Sequence, residues 1–121
     1  RYVPYAQARV HIDDRAYTFA DGVYEVVTLS HGRFVDEGPH LDRLDRSLKE
    51  LRIAAPMSRA ALCQVLREIV RRNRVSGAGL VYIQMSRGVA LRIVTIRDLR
   101  NVSKHAPSRR VTTQHDIGGR S

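Results

Sequence analysis

The spacing of apolar residues changes twice along this chain, and that change confines what it can fold into. Val23 to Leu29 (VYEVVTL) is rich in β-branched and aromatic residues, the composition of a strand. From Leu41 onward the period becomes three and four. Leu41, Leu44, Leu48 and Leu51 form one stripe of a helix over Pro39 to Arg52. Pro39 suits the first turn, because its missing N–H would lack a helical partner anyway. After Ala55-Pro56, Ser58 is a candidate N-cap for a second helix with the stripe Leu62, Val65, Leu66, Ile69 and Val70. Ser76-Gly77-Ala78-Gly79 ends that helix, and Leu80 to Ser86 (LVYIQMS) alternates as a strand again. Arg92 to Ile96 and Arg110 to Thr113 read as further strands, with the polar stretch Asn101 to Ser108 between them as loop. Arg1 to Ile12 is short alternating strand material with Pro4 near its edge, interrupted by the charges of Asp13-Asp14-Arg15. Gly32 supplies the positive φ of a hairpin turn before Phe34-Val35. Strand hairpin, two helices, then strands predicts an α+β fold, an antiparallel sheet with two helices packed on one side.

The chain of 121 residues is one domain's worth, and with 43% hydrophobic residues it can bury a core. One cysteine, Cys63, excludes an internal disulfide framework and a cysteine-rich zinc module. It lies at the flank of the second stripe, where a small half-buried hydrophobe belongs. The five histidines show no metal spacing, so no metal site is expected. No apolar run approaches the ~20 residues that span a bilayer, and no charged segment followed by an apolar one opens the chain. A soluble, reduced, cytoplasmic protein is the expectation.

Twenty-one Lys+Arg against 12 Asp+Glu give a net charge of +9, which would ordinarily suggest a polyanion partner. The arginines are spread along the whole chain, and the only lysines are Lys49 and Lys104. Aromatic residues make up 6%, too few for base-stacking platforms. A basic anion- or nucleic-acid-binding module therefore stays as the alternative from another functional class, with nucleic acid the weaker form of it.

Three stretches can carry chemistry. Asp13-Asp14-Arg15-Ala-Tyr17-Thr-Phe19-Ala-Asp21-Gly22-Val-Tyr24-Glu25 leads through a glycine-containing bend into a strand, a junction that often lines a site. It reads equally as a charged turn whose aromatics fill the core. In the first helix, Arg43 sits about 120° from the leucine stripe, free to offer its fork to a phosphate or carboxylate. It could as well be an exposed cation paired with Asp42, Ser47 or Glu50. Finally, Arg87 and Arg92 bracket Gly88 at a strand end, where they could hold an anion or form a basic turn.

Taken together, DDRAYTFADGVYE, PHLDRLDRSLKELRI and YIQMSRGVALR resemble the N-terminal domain of class IV (fold type IV) pyridoxal-phosphate aminotransferases. Within that class they are most similar to D-amino-acid aminotransferases. The resemblance runs over Arg1 to Arg92. The tail from Arg109, with Asp116-Ile117 and Arg120, resembles the stretch just before the family's cofactor lysine.

The resemblance implies a cofactor, pyridoxal 5'-phosphate, with Arg43 gripping its phosphate. It implies Tyr24, Tyr82 and Arg92 at the substrate, Arg92 taking the α-carboxylate from a loop lent to the partner subunit of a homodimer. Arg87-Gly88 favours the D-amino-acid branch. The implied reaction is transamination of a D-amino acid such as D-alanine with a 2-keto acid. A branched-chain aminotransferase or an aminodeoxychorismate lyase of the same fold is the alternative. Residues 1–92 would be the N-terminal α+β domain, and 93–121 its continuation and the start of the interdomain segment. Lys49 lies on a polar helix face and Lys104 in a polar loop, so the Schiff-base lysine is expected after Ser121, in a second domain, and this chain alone is expected to be inactive. The family places a histidine two residues after the position of Arg92, then Phe-Pro. Here Arg92 runs directly into Ile93-Val-Thr, which suggests residues missing between Arg92 and Ile93.

Overall fold

A computed structural model describes residues 2–87, 90–97 and 111–116. The strand predicted from its β-branched composition forms as β2, Gly22–Ser30. Its inward positions Val23, Glu25, Val27 and Leu29 are buried and its outward ones are not, as a pleated strand covered on one side requires. The two-residue strand β3, Arg33–Phe34, pairs back on it in the register Leu29↔Phe34 and Ser30↔Arg33. The connection is therefore the two residues His31 and Gly32, both at positive φ (51° and 72°), the signature of a primed hairpin turn. A side chain on Gly32 would put its Cβ 2.7 Å from the Val75 carbonyl oxygen, so glycine is required there twice over.

The leucine stripes become α2, Glu37–Glu50, and α3, Arg59–Arg72. Leu41, Leu44 and Leu48 of α2 and Leu62, Leu66, Ile69 and Val70 of α3 are buried. With Val23, Val27, Leu29, Val81, Ile83 and Met85 from the sheet they make one core on the helix-covered face. Cys63 packs at its margin, as its place on the stripe's flank implied, and Val65, expected within the stripe, is only partly buried beside it. Ser58 caps α3, its hydroxyl accepting from the Ala61 amide at 3.2 Å. Leu51, expected in the first stripe, lies beyond the end of α2 and is 43% exposed, because the helix stops at Glu50, one residue short of it.

Both long helices end in the same way. The Ile53 amide reaches the Leu48 carbonyl and the Arg52 amide that of Lys49. In α3, Val75 reaches Val70 and Arg74 reaches Arg71. These are Schellman closures, with the buried residues Ile53 and Val75 just past each helix. The left-handed position, usually glycine, is an arginine in both, Arg52 at φ 53° and Arg74 at φ 51°.

Strands β4, Gly79–Ser86, β5, Ala90–Arg97, and β6, Val111–Asp116, complete the sheet with β1, Tyr2–Pro4. The order is β1-β6-β5-β4-β2-β3, and every neighbouring pair is antiparallel. The α+β architecture with α2 and α3 on one side is as predicted. Strand β5 passes through Arg92 and Ile93, opposite Gln84 and Ile83, so Arg92 lies within a strand and not in the expected loop.

The N-terminal segment departs from expectation. Only Tyr2–Pro4 is strand. A single 3-10 turn, Tyr5–Gln7, follows it, and the rest of the alternating stretch to Ile12 is irregular. Asp14 closes a turn, its amide donating to the His11 carbonyl at 3.0 Å, and does more than that. Its carboxylate accepts from the Ala16 amide at 2.9 Å and starts a five-residue helix, α1, Arg15–Phe19. So short a helix has no period to read, and none of its residues is buried. The predicted loop Asn101 to Ser108, Lys104 and the tail after Asp116 lie outside the described residues.

Leu66, fully buried, and Leu51, exposed, separate stripe from bystander. Leu66→Ala is expected to lower stability by about 2–5 kcal/mol, and Leu51→Ala by less than about 0.5 kcal/mol. Urea unfolding of both variants measures the difference.

Candidate functional site

Position Glu25 breaks the apolar alternation of β2. It faces the helix layer with Val23 and Val27, yet it is a carboxylate and only 3% exposed. A charge there costs several kcal/mol of desolvation unless it is paired and hydrogen-bonded. Helix α2 supplies the partners. Arg43 donates from Nε to Oε1 at 2.5 Å and from Nη2 to Oε2 at 2.8 Å, a fork-on-fork geometry. His40 Nδ1 lies 2.9 Å from Oε2, one turn before Arg43 on the same helix face. The Arg43 guanidinium and this bond in particular hold the Glu25 carboxyl below its usual range, against the burial that would raise it. Reciprocally, Glu25 raises the affinity of Arg43 for its proton, and Tyr24 adds to the same effect.

Arg43 nevertheless stays 60% exposed. Of the five N–H donors of a guanidinium, two are engaged by Glu25, and the Nη1 edge is turned from that carboxylate. None of the local partners suggested by the helix sequence, Asp42, Ser47 or Glu50, holds it. Asp42 and Asp45 go instead to Arg59 at the start of α3. The outcome is an oriented cation with free donors.

The opposite face of the sheet carries the aromatic residues. Tyr24 is 65% exposed and its ring stacks on Tyr82, with centroids 5.6 Å apart and planes 17° from parallel. The Tyr82 hydroxyl donates to Gln84 Oε1 at 3.1 Å. Burial pushes the Tyr82 phenol up, with Tyr17 of α1 and Tyr24 contributing. In register, Tyr24 is opposite Gln84, which is opposite Arg92, and Val26 is opposite Tyr82, which is opposite Val94. The three residues expected at the substrate thus fall on two adjacent rows of one sheet. Arg92 is placed by its backbone register alone.

The third sequence stretch has another use. Arg87 donates from Nε to both Asp21 oxygens, at 3.0 and 2.9 Å, and its Nη1 and Nη2 take the carbonyls of Arg52 and Leu51. It is neither an anion trap nor a loose basic turn: it ties the end of β4 to the start of β2 and to the end of α2. Arg15 adds a bond to Asp21 at 2.8 Å, and Arg87 first and then Arg15 hold the Asp21 carboxyl low.

Tyr17 and Glu25 lie in the first of the three stretches, but sequence spacing assigns no individual site role to them, to His40 or to Gln84. A signal existed for Glu25, a lone carboxylate at an inward position of an otherwise apolar strand. Among the described residues no group of three His, Cys, Asp or Glu could hold a metal ion, and no helix is long and apolar enough to cross a membrane.

Because the folded state lowers the Glu25 pKa, its stabilisation is complete above the ordinary carboxylate range and is lost as pH falls through the lowered value. Glu25→Gln is therefore expected to lower stability at pH 7 by on the order of 2 kcal/mol. The gap between the two proteins should narrow as pH drops below about 4.3. Thermal melts at pH 7, 5 and 3 check this, and a gap independent of pH would refute it.

Comparison with known proteins bears on this geometry. Residues 22–116 match the family model described as amino-transferase class IV. D-alanine aminotransferase of Listeria monocytogenes serotype 1/2a (strain 10403S) is 43% identical over 82 residues, 68% of this chain and 28% of that protein. That of Staphylococcus haemolyticus is 33% identical over 91 residues, 75% of this chain and 32% of its own length. The chain thus spans under a third of the length of these curated relatives. Among solved structures, a hypothetical aminotransferase from Mycobacterium tuberculosis in its PLP-bound form aligns with 97% of this chain and 39% of its own, at a TM-score of 0.64 and 19% identity. A branched-chain aminotransferase from Thermoproteus uzoniensis aligns with 98% and 39%, at 0.61 and 19%. The 4-amino-4-deoxychorismate lyase of Pseudomonas aeruginosa aligns with 96% and 40%, at 0.55 and 24%. At these identities the structures share the fold, and the family-model match, covering most of the chain, settles membership: the chain belongs to the class IV amino-transferases.

Proposed function

We propose that this chain is the N-terminal part of a pyridoxal-phosphate-dependent aminotransferase that moves an amino group between a D-amino acid, such as D-alanine, and a 2-keto acid. One observation carries the reading: a guanidinium aimed by a buried carboxylate, with an open edge, beside a sheet whose other face presents stacked tyrosines. The D-alanine aminotransferases to which it is similar support the donor.

The donor set fits the cofactor. A phosphate monoester is close to a dianion and takes a charged fork bidentately, and Arg43 has free donors in a fixed direction. Pyridoxal phosphate, when bound, supplies an electron sink for the substrate's α-carbon. In this reading Arg43 holds the phosphate, and Glu25 and His40 keep the guanidinium from swinging. Tyr24 and Tyr82 form an aromatic wall at the substrate, and Arg92 takes its carboxylate. The lysine that moves the α-proton belongs to residues beyond Ser121, in a second domain. Residues 1–92 are then the N-terminal domain and 93–121 lead out of it. A homodimer working in the cytoplasm completes the proposal.

The fold neighbours favour a second reading, a branched-chain aminotransferase or an aminodeoxychorismate lyase. Arg87 no longer argues against it, since its donors are engaged within the domain.

Amino-donor assays on the full-length protein decide between these. Consumption of D-alanine with a 2-keto acid, and not of L-leucine, is expected; activity on L-leucine alone, or on neither donor, rejects the D-amino-acid reading. Arg43→Lys, which keeps a cation beside Glu25 but loses the fork, is expected to weaken cofactor binding about tenfold, followed by absorbance titration, with circular dichroism unchanged.

A further inference from the structure

We propose that the hollow between the β2–β3 hairpin and α3 is a second ligand site, for a small organic carboxylate that also carries a hydroxyl or ammonium donor. The hollow has a volume of about 480 Å³ and is lined by Arg33, Phe34, Glu37, Arg67, Val70 and Arg71, with Gly32 at its rim. That volume is in the range of small-molecule sites. It shares no residue with Arg43, Glu25 or His40.

Two imbalances in this hollow specify the ligand. The first is a surplus of positive charge. Arg33 is exposed and has no carboxylate partner among the described residues. Arg67 gives Nη2 to Glu37 Oε2 at 3.2 Å, and Arg71 gives Nε and Nη2 to Glu68 at 2.7 Å, so each keeps further donors. The second is an orphan acceptor. Glu37 Oε1 is covered and finds no hydrogen-bond donor among the described residues. A covered carboxylate oxygen without a donor is costly, and native structures rarely leave one.

A bare anion would answer the arginines and be repelled by Glu37. A cation would answer Glu37 and be repelled by the arginines. A short carboxylate with its own O–H or N–H answers both, and Phe34 with the buried Val70 gives its carbon chain an apolar floor. The site exists before the ligand arrives. The Gly32 amide donates to the Gly77 carbonyl at 3.2 Å, and the close approach of Gly32 to Val75 fastens the hairpin against the end of α3.

Lactate and propionate have the same carbon skeleton and differ by one hydroxyl, which makes them the probes. Each is titrated at constant ionic strength into 15N-labelled protein while the Gly32 and Phe34 amide signals are followed. Lactate is expected to saturate with a Kd on the order of 1 mM and to bind at least about threefold more tightly than propionate. Arg33→Ala should weaken both about tenfold, and Glu37→Ala should erase the preference. Arg43→Lys, which keeps a cation beside Glu25, should leave both titrations unchanged, which separates this site from the cofactor reading. Arg33 is a surface residue, and unchanged signals elsewhere in the spectrum establish that its variant is folded. No saturable shift below about 50 mM, equal response to the two acids, or an Arg33→Ala variant that binds like the parent would each overturn the proposal.

Discussion

The carboxylate of Glu25 is where sheet and helix layer meet most tightly. It sits among valines in a strand that otherwise buries only carbon, and it is tolerable there because α2 brings a guanidinium and an imidazole to it at once. The consequence is mutual. The burial of Glu25 depends on Arg43, and the direction of Arg43 depends on Glu25. A long cationic side chain on an exposed helix shoulder would otherwise sample many rotamers, and ordering it costs entropy that a ligand would have to overcome. Here that cost is met within the folded domain before any ligand arrives.

The two faces of the sheet divide the labour. The helix-covered face holds the core and, at one inward position, the carboxylate that aims the arginine. The other face carries Tyr24 on Tyr82, with Gln84 held by the Tyr82 hydroxyl and Arg92 opposite Gln84 in register. Adjacent positions on β2, Tyr24 and Glu25, therefore serve opposite faces, which is the direct result of the two-residue period of a strand. A ligand gripped by Arg43 and touched by Tyr24 must reach around one end of the sheet, and α1 stands beside that end next to Gly22.

How much of this could be read from residues alone follows from which interactions are periodic. The strands, both long helices, the Ser58 cap and the hairpin glycine all announce themselves through spacing or through the special geometry glycine allows. Helix α1 did not, being too short for a period and exposing Tyr17 and Phe19. The end of α2 was set too late because Leu51 keeps the leucine rhythm one residue past the last helical position, Glu50, just before Arg52 turns left-handed. Arg43 was legible as a residue off the stripe, but its partner was not, since Glu25 is 18 residues away and on another element. The role of Arg87 was hidden for the same reason: all four oxygens it holds belong to distant parts of the chain.

Arg87 has one more implication. By holding the carbonyls of Leu51 and Arg52, just past α2, together with Asp21, just before β2, it fastens the far end of that helix to the start of the strand that Glu25 joins to its first half. A rod pinned at two points to one rail can neither slide along it nor pivot about it. The guanidinium of Arg43 and the ring of Tyr24 thus share a single reference frame, so divergence within this scaffold is channelled toward neighbouring loops and away from the spacing of these two groups.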